Sequence, residues 1–284
     1  MNAPRKNSVV LVDFSNISHA CWHPALAAEE AGQKALEDHK SKCVVCEMGD
    51  PCQSKPRLYY AKEVLKKNLD LKIQTISQFV VPPIKSWIFV KDGHDTHRKV
   101  LLPSYKGNRD HTKFDPRPLA EAHIRTKGCR FAISSDSEAD DAIATYTRDL
   151  VEAGIDVIIV SGDADLWQLF NPPKVRIFLT TKNEWLDEYR IEKKLRITDP
   201  KHVRLVKSLW GDSSDNIPNL VPRMQKHLIP LIHDGDGTLE NLIDQLRTNQ
   251  VSRTCSDLFF GNLGAIRVNY EVVGLRDNCV VNVI

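Results

Sequence analysis

No apolar run in this sequence approaches the roughly 20 residues that a membrane-spanning helix needs. The first one, residues 9–12, is short and meets Asp13 too soon to act as a signal peptide. The expectation is a cytoplasmic protein with no membrane partner. A disulfide framework is excluded on similar grounds, because the seven cysteines are odd in number and sit in an intracellular-looking chain. An excess of charge is also lacking: 39 Lys and Arg face 37 Asp and Glu. Internal repeats and low-complexity tracts are missing, and no Ser, Cys or His nucleophile is signalled. What is there is ordinary for a folded chain, 42% hydrophobic and 27% charged over 284 residues. That suffices for one large α/β domain, or a core with a small satellite.

Short β-branched runs alternate with longer periodic ones. Residues 8–14 (SVVLVDF), 86–90 (SWIFV), 155–160 (IDVIIV) and 175–179 (VRIFL) read as buried strands. Residues 57–79, residues 138–152 and a short stretch after Asp165 read as helices, with Gly154 as a stop and Ser135 with Glu138 spaced as a capping box. This alternation predicts a mostly parallel sheet covered on both faces. Three of the strands run into aspartate: Asp13, Asp92, and Asp163 with Asp165. In open α/β sheets ligands bind at the carboxyl ends of the strands, so these acids are expected to converge on one edge.

Further acids extend the pattern. Ser135-Asp136-Ser137-Glu138-Ala139-Asp140-Asp141 opens the helix at 138–152, and Asp212 and Asp215 stand in GDSSDN. A helix dipole accounts for one or two acids at a helix start, and Asx turns account for isolated pairs. Neither accounts for nine carboxylates in five clusters. Crowded carboxylates repel one another, and the hard-oxygen donor set specifies Mg²⁺ or Mn²⁺. Two such ions can activate water and stabilise a leaving oxyanion, which is the chemistry of phosphodiester hydrolysis. With the nine set aside, 28 acids face 39 basic residues, an excess of eleven positive charges suited to a polyanion. The stretch of about 93–134 is basic and poor in apolar periodicity. Within it Arg98, Lys99, Lys106 and Arg109 are candidates to hold phosphates, with Tyr105 available to stack on a base.

The segments VDFSN, KDGHDTHRKVLLPSYKGNR, SEADDAIA, SGDADLWQL and GDSSDNIP, in this order over about residues 9–220, resemble the flap endonuclease and 5′→3′ exonuclease family. That family includes bacteriophage members and the 5′-nuclease domain of bacterial DNA polymerase I. The resemblance implies a PIN-like core with a helical arch at about 93–134, and cleavage of DNA at 5′ ends, flaps and nicks, or of RNA in RNA–DNA hybrids. By position it makes Asp13, Asp92, Glu138, Asp140 and Asp141 the first metal site, and Asp163, Asp165, Asp212 and Asp215 the second. Arg98 and Lys106 match the arch residues that steady the scissile phosphate.

Two departures stand out. After GDSSDNIP the family continues with a glycine-rich hairpin that grips duplex backbone and often a potassium ion. Here NLVPRMQKHLIPLI follows, without the close-approach glycines, which puts K⁺ binding and the duplex grip in question. Arg223, Lys226 and His227 are candidates to compensate. The second departure is Cys43 and Cys46 in a CxxC, with His39 and Cys52 nearby, a candidate zinc knuckle that competes with free thiols. The expected organisation is a nuclease core over 1–198, a degenerate helix–hairpin–helix region over 199–250, and a tail over 251–284 packed on the core, in a monomer. The competing readings are a PIN-type ribonuclease and a DNA-binding accessory that has lost catalysis.

Overall fold

A computed structural model describes residues 8–40, 59–80, 84–94, 97–109, 113–248 and 251–284. Of residues 32–33, 35–40, 59–60 and 84–85 it describes the backbone alone. The centre of the fold is β1 (Ser8–Asp13), six residues buried without exception. Such a strand has no solvent face, so its sequence runs continuously apolar until the terminal aspartate. It pairs in parallel with β2 (Ile84–Lys91) on one side and with β4 (Asp156–Val160) on the other. β3 (Arg130–Ser134) and β5 (Val175–Leu179) extend the parallel sheet outward. Two short antiparallel strands, β6 (Glu184–Trp185) and β7 (Val281–Val283), close its edges, giving the order β6-β5-β4-β1-β2-β3-β7.

Alternation along β1 divides the core in two. Val9 and Leu11 face one layer with Ile159, Ile177, Ala142 and Ile143, while Val10 and Val12 face the other with Phe89, Phe131 and Phe178. The second layer is covered by α1 (Phe14–Lys40), α2 (Tyr59–Phe79) and α4 (Arg117–Arg125). The first is covered by α5 (Ala139–Glu152), α7 (Val203–Trp210) and the helices at Leu239–Thr248 and Arg253–Gly261. The chain lays down β1, β2 and β3 in one direction and then returns past β1 to place β4. The switch in direction lies between β1 and β4, and the connections leaving their carboxyl ends diverge there to open a crevice.

Several expectations change. Residues 14–40 are helical, although their apolar periodicity is faint. Ser135 does not cap α5: Glu138 is its N-cap residue, with no side-chain capping bond. The expected arch at 93–134 contains a short helix α3 (His97–Leu101), α4, and the whole of β3, which belongs to the sheet. The expected tail at 251–284 holds two helices, Arg253–Gly261 and Leu263–Val273, and ends in β7 on the sheet edge. Cys43, Cys46 and Cys52 and the His39 side chain lie outside the described residues. No described helix is long and apolar enough to cross a membrane.

Candidate metal centre

Asp13 ends β1 and stands 5% exposed. Its Oδ1 accepts from the Asn16 amide at 2.9 Å and its Oδ2 from the Ser161 hydroxyl at 2.7 Å, across the β1–β4 crevice. Burial is the largest influence on this acid. Together with the charges of Asp92 and Asp163 it outweighs both hydrogen bonds and pushes the carboxyl up to about 7. Asp140, on the first turn of α5, is raised well above the carboxylate range by burial and then by Asp163 and Asp13. Asp165, in the 3₁₀ turn Asp165–Leu169, is pushed up to about 6, burial outweighing the contact with Lys207. Carboxylate oxygens of Asp140, Asp163 and Asp165 all lie within 4.8 Å of one another.

The turn holding these acids is itself braced. The Asn16 side-chain oxygen accepts from the Gly162 amide at 2.9 Å and from the Thr180 hydroxyl at 2.7 Å. Asp163 in turn accepts from the Asp165 amide at 2.9 Å. Asp92, at the end of β2, is tied down by the Ser15 hydroxyl and, at 3.0 Å, by the Ala139 amide. That second bond joins β2 to the start of α5. Arg117 approaches Asp92 at 3.5 Å.

The other acids are committed to cations. Asp141 is fully buried and accepts both arms of the Arg98 guanidinium at 2.7 Å, with the Arg276 amide at 3.0 Å. Burial opposes its ionisation, but the Arg98 contacts prevail and hold it below the carboxylate range. Glu138 accepts from Lys106 Nζ at 2.8 Å and the Tyr105 hydroxyl at 3.0 Å. Asp215 accepts from Arg109 at 2.8 Å. Asp212 lies 2.8 Å from Lys207. Against the opposing effect of burial, that ammonium and the Ser214 bonds lower Asp212 to about 2. Gly211 makes the turn into this loop at φ 73°, where a Cβ would come within 2.4 Å of the Ile217 carbonyl.

Two expected roles are corrected by these contacts. Arg98 is 4% exposed, and besides Asp141 it donates to the Val272 and Gly274 carbonyls, so it locks α3 to α5 and the C-terminal helix and has no face for a phosphate. Tyr105 is 4% exposed, packed with Ile217, Val272 and Val273, and is closed to base stacking. Lys106 keeps a partly exposed ammonium beside Glu138 and sits at φ 53°, on a turn docked to the GDSSDN loop through its own amide. Lys99, Arg109, Arg223 and Lys226 are exposed, and His227 is half-buried. Sequence reasoning missed Ser15, Asn16 and Ser161, which lie inside the quoted motifs, as well as Arg117, Lys207 and Arg276. Lys207 leaves a trace, a basic residue on the apolar stripe of α7. Arg276 leaves none.

Among the described residues Asp13, Asp140 and Asp163 touch no cationic side chain. The clustered acids Asp140, Asp163 and Asp165, of which Asp140 and Asp165 are desolvated and Asp165 also touches Lys207, have no His or Cys among them and fit a hard divalent cation.

Residues 57–196 match the family described as 5′-3′ exonuclease, N-terminal resolvase-like domain. The chain is 30% identical over 188 residues to DNA polymerase I of Lactococcus lactis subsp. cremoris, of which it covers 21%. It therefore spans about a fifth of the length of the polymerases it matches. It is 31% identical over 201 residues to the flap endonuclease Xni of Shewanella pealeana, covering 66% of this chain and 72% of that one. The bacteriophage T5 D15 flap endonuclease, solved with DNA and metal ions, has the same fold, with a TM-score of 0.63 at 18% identity over 95% of this chain and 89% of that one. The acids at the sheet's carboxyl edge, the family match and the length shared with Xni agree: this chain belongs to the flap endonuclease and 5′→3′ exonuclease family.

Proposed function

We propose that this protein is a divalent-metal-dependent 5′→3′ exonuclease and flap endonuclease. It would hydrolyse DNA phosphodiesters at 5′ ends, flaps and nicks, with RNA of RNA–DNA hybrids as a further substrate, and act as a cytoplasmic monomer. The observation that carries this reading is the trio Asp140, Asp163 and Asp165, whose oxygens converge beside buried Asp13 at the switch point of the sheet. The donor set suits Mg²⁺ or Mn²⁺, two ions in the loaded state, which would supply an activated water and neutralise the leaving oxyanion.

The protein's own side chains do the rest. Asp13, Asp140, Asp163 and Asp165 would hold the ions, while Asn16, Ser161 and Ser15 fix the loops that present them. Lys106, whose partly exposed ammonium is paired with Glu138 at 2.8 Å, is the cation placed to bind a scissile phosphate in exchange for that carboxylate. Lys99, Arg109, Arg223 and Lys226 offer a basic exterior for the strand backbone. The absent hairpin glycines leave duplex holding to such side chains.

Cleavage of a 5′-labelled flap, a nicked duplex and a blunt duplex is expected with Mg²⁺ or Mn²⁺ and not with EDTA. Cleavage confined to single-stranded RNA would favour a PIN-type ribonuclease. Flap binding without cleavage under any divalent ion would favour an accessory protein.

A further inference from the structure

We infer that Asn216, with Asn108 as its counterpart, is a positioning residue that latches the Lys106 turn onto the GDSSDN loop and so aims the Lys106 ammonium. This inference rests on the reading of Lys106 as the phosphate-binding cation given above. The two segments, far apart in sequence, exchange side-chain bonds reciprocally. Asn216 Nδ2 donates to the Ser104 carbonyl at 2.8 Å, and Asn108 Nδ2 donates to the Ser213 carbonyl at 3.0 Å. Between them the Lys106 amide donates to the Asp215 carbonyl at 2.9 Å. Arg109 and the Tyr105 hydroxyl reach the Asp215 carboxylate from either side. The asparagines differ from these neighbours in gripping main chain on both sides of Lys106.

That grip matters because Lys106 sits at φ 53°, a left-handed backbone that a lysine keeps only when its surroundings impose it. Asn216 is left-handed too, at φ 59°, which asparagine tolerates. The loop is the fixed side of the latch. Asp212 and Ile217 close its base with paired backbone bonds of 3.0 and 2.8 Å. Beneath them Asn269, 1% exposed on the helix Leu263–Val273, donates to the Ser208 and Pro218 carbonyls, both at 3.0 Å. The turn is the yielding side: Tyr105 is buried, but Ser104, Gly107 and Asn108 are exposed. With the latch open, Lys106 can leave the left-handed region, and that change in φ swings its ammonium away from Glu138 and the acidic edge. Single exposed amide bonds contribute little to global stability. Removing the Asn216 side chain should therefore disturb the reaction far more than the fold.

The test pairs single-turnover cleavage of the 5′ flap by the full chain in Mg²⁺ with hydrogen exchange of the Lys106 amide, followed by NMR without nucleic acid. Asn216→Ala is expected to slow the cleavage step roughly tenfold and to speed exchange at Lys106 by a similar factor. Flap affinity and Tm should stay close to those of the wild type. Should the alanine variant fail to fold, Asn216→Gly keeps the left-handed backbone and still lacks the amide. In the already slow Lys106→Ala background, adding Asn216→Ala should slow cleavage no further, whereas a merely structural role would add its loss in both backgrounds. Additive losses, an Asn216→Ala chain that cuts at the wild-type rate, or an unchanged Lys106 amide would overturn the latch. A wild-type chain that cuts no flap, while Asn216→Ala still frees the Lys106 amide, would overturn the nuclease reading and leave the latch standing.

Discussion

Removing divalent ions and raising the pH should destabilise this protein in a way that follows from three acids. Asp13 is pushed from 3.8 to about 7 and Asp165 to about 6, and Asp140 is raised with them. In the unfolded chain each ionises near its ordinary value. A carboxyl that keeps its proton in the fold and loses it on unfolding contributes stability that is complete below about pH 4. That contribution is lost as pH rises through the folded value, here between roughly 4 and 7. For Asp13 alone the rise corresponds to about 4 kcal/mol. A bound dication reverses the sign, because it favours the ionised acids and must displace their protons. Below about pH 7 each further unit costs the ion about tenfold in affinity through Asp13 alone. Half-buried His19 and buried His202, both pushed below the ordinary histidine value by desolvation, act in the opposite direction below about pH 6.5.

The informative quantity is therefore a difference, in which the histidine contributions cancel. Thermal unfolding followed by circular dichroism, in EDTA and in saturating Mg²⁺ or Mn²⁺, is measured from pH 5 to pH 8. The gain in Tm from the ion is expected to be near zero at pH 5 and to grow steadily toward pH 8. At about 2 °C per kcal/mol for a chain of this size, the roughly two pH units above pH 5 over which Asp13 still holds its proton correspond to about 3 kcal/mol, a rise in that gain on the order of 5 °C from Asp13 alone. A gain that is flat with pH, or larger at pH 5 than at pH 8, would refute the claim that desolvated carboxylates create the ion's site.

Asp163→Asn should abolish flap cleavage, leave gel-shift binding of the flap nearly unchanged, and raise the Tm in EDTA by relieving Asp13 and Asp140. An unchanged or lower Tm would show that their repulsion is not what the fold resists. Arg98→Met strands the buried carboxylate of Asp141 and should cost about 3–5 kcal/mol in urea unfolding. Lys106→Ala should slow cleavage with much less effect on that transition, and equal stability losses would erase the distinction between lock and phosphate contact. Tyr105→Phe should lose about 1 kcal/mol of stability with no change in KM for the flap, whereas a base-stacking tyrosine would leave stability alone.

The parallel core was legible because its strands are buried on both faces. β1, β2, β4 and β5 each announce themselves as β-branched runs, and the aspartates ending three of them locate the reacting edge. β3 was hidden because RFAIS follows a basic stretch and carries no alternation that stands out. β7 is three residues long and exists only through its pairing with β3. The long helix α1 gives a weak periodic signal, since much of it is small or polar and its stability comes from packing against α2. At the site, acids clustered in motifs were readable as a set, but their division of labour was not. Whether a carboxylate meets a metal or a guanidinium depends on partners far away in sequence, such as Arg276 for Asp141 and Lys207 for Asp165.

That division follows from helix geometry at α5. Successive residues on a helix point about 100° apart, so Asp140 and Asp141 are bound to serve different neighbours. Asp140 turns toward Asp163 and Asp165, while Asp141 turns toward Arg98 and the C-terminal segment at Arg276. One turn of helix thus joins the ion-binding cluster to the buried pair that seats α3, and α3 leads directly into the turn bearing Lys106. The same logic recurs at α7, where Lys207 links Asp165 to Asp212. Acids that face no ion are therefore more than surplus charge. They fix in place, through permanent protein cations, the loops around the cluster, so the scaffold can hold its shape while Asp13, Asp140 and Asp163 meet no cationic side chain among the described residues. A protein whose nine acids all faced dissociable ions would lose both its fold and its site when the metal left.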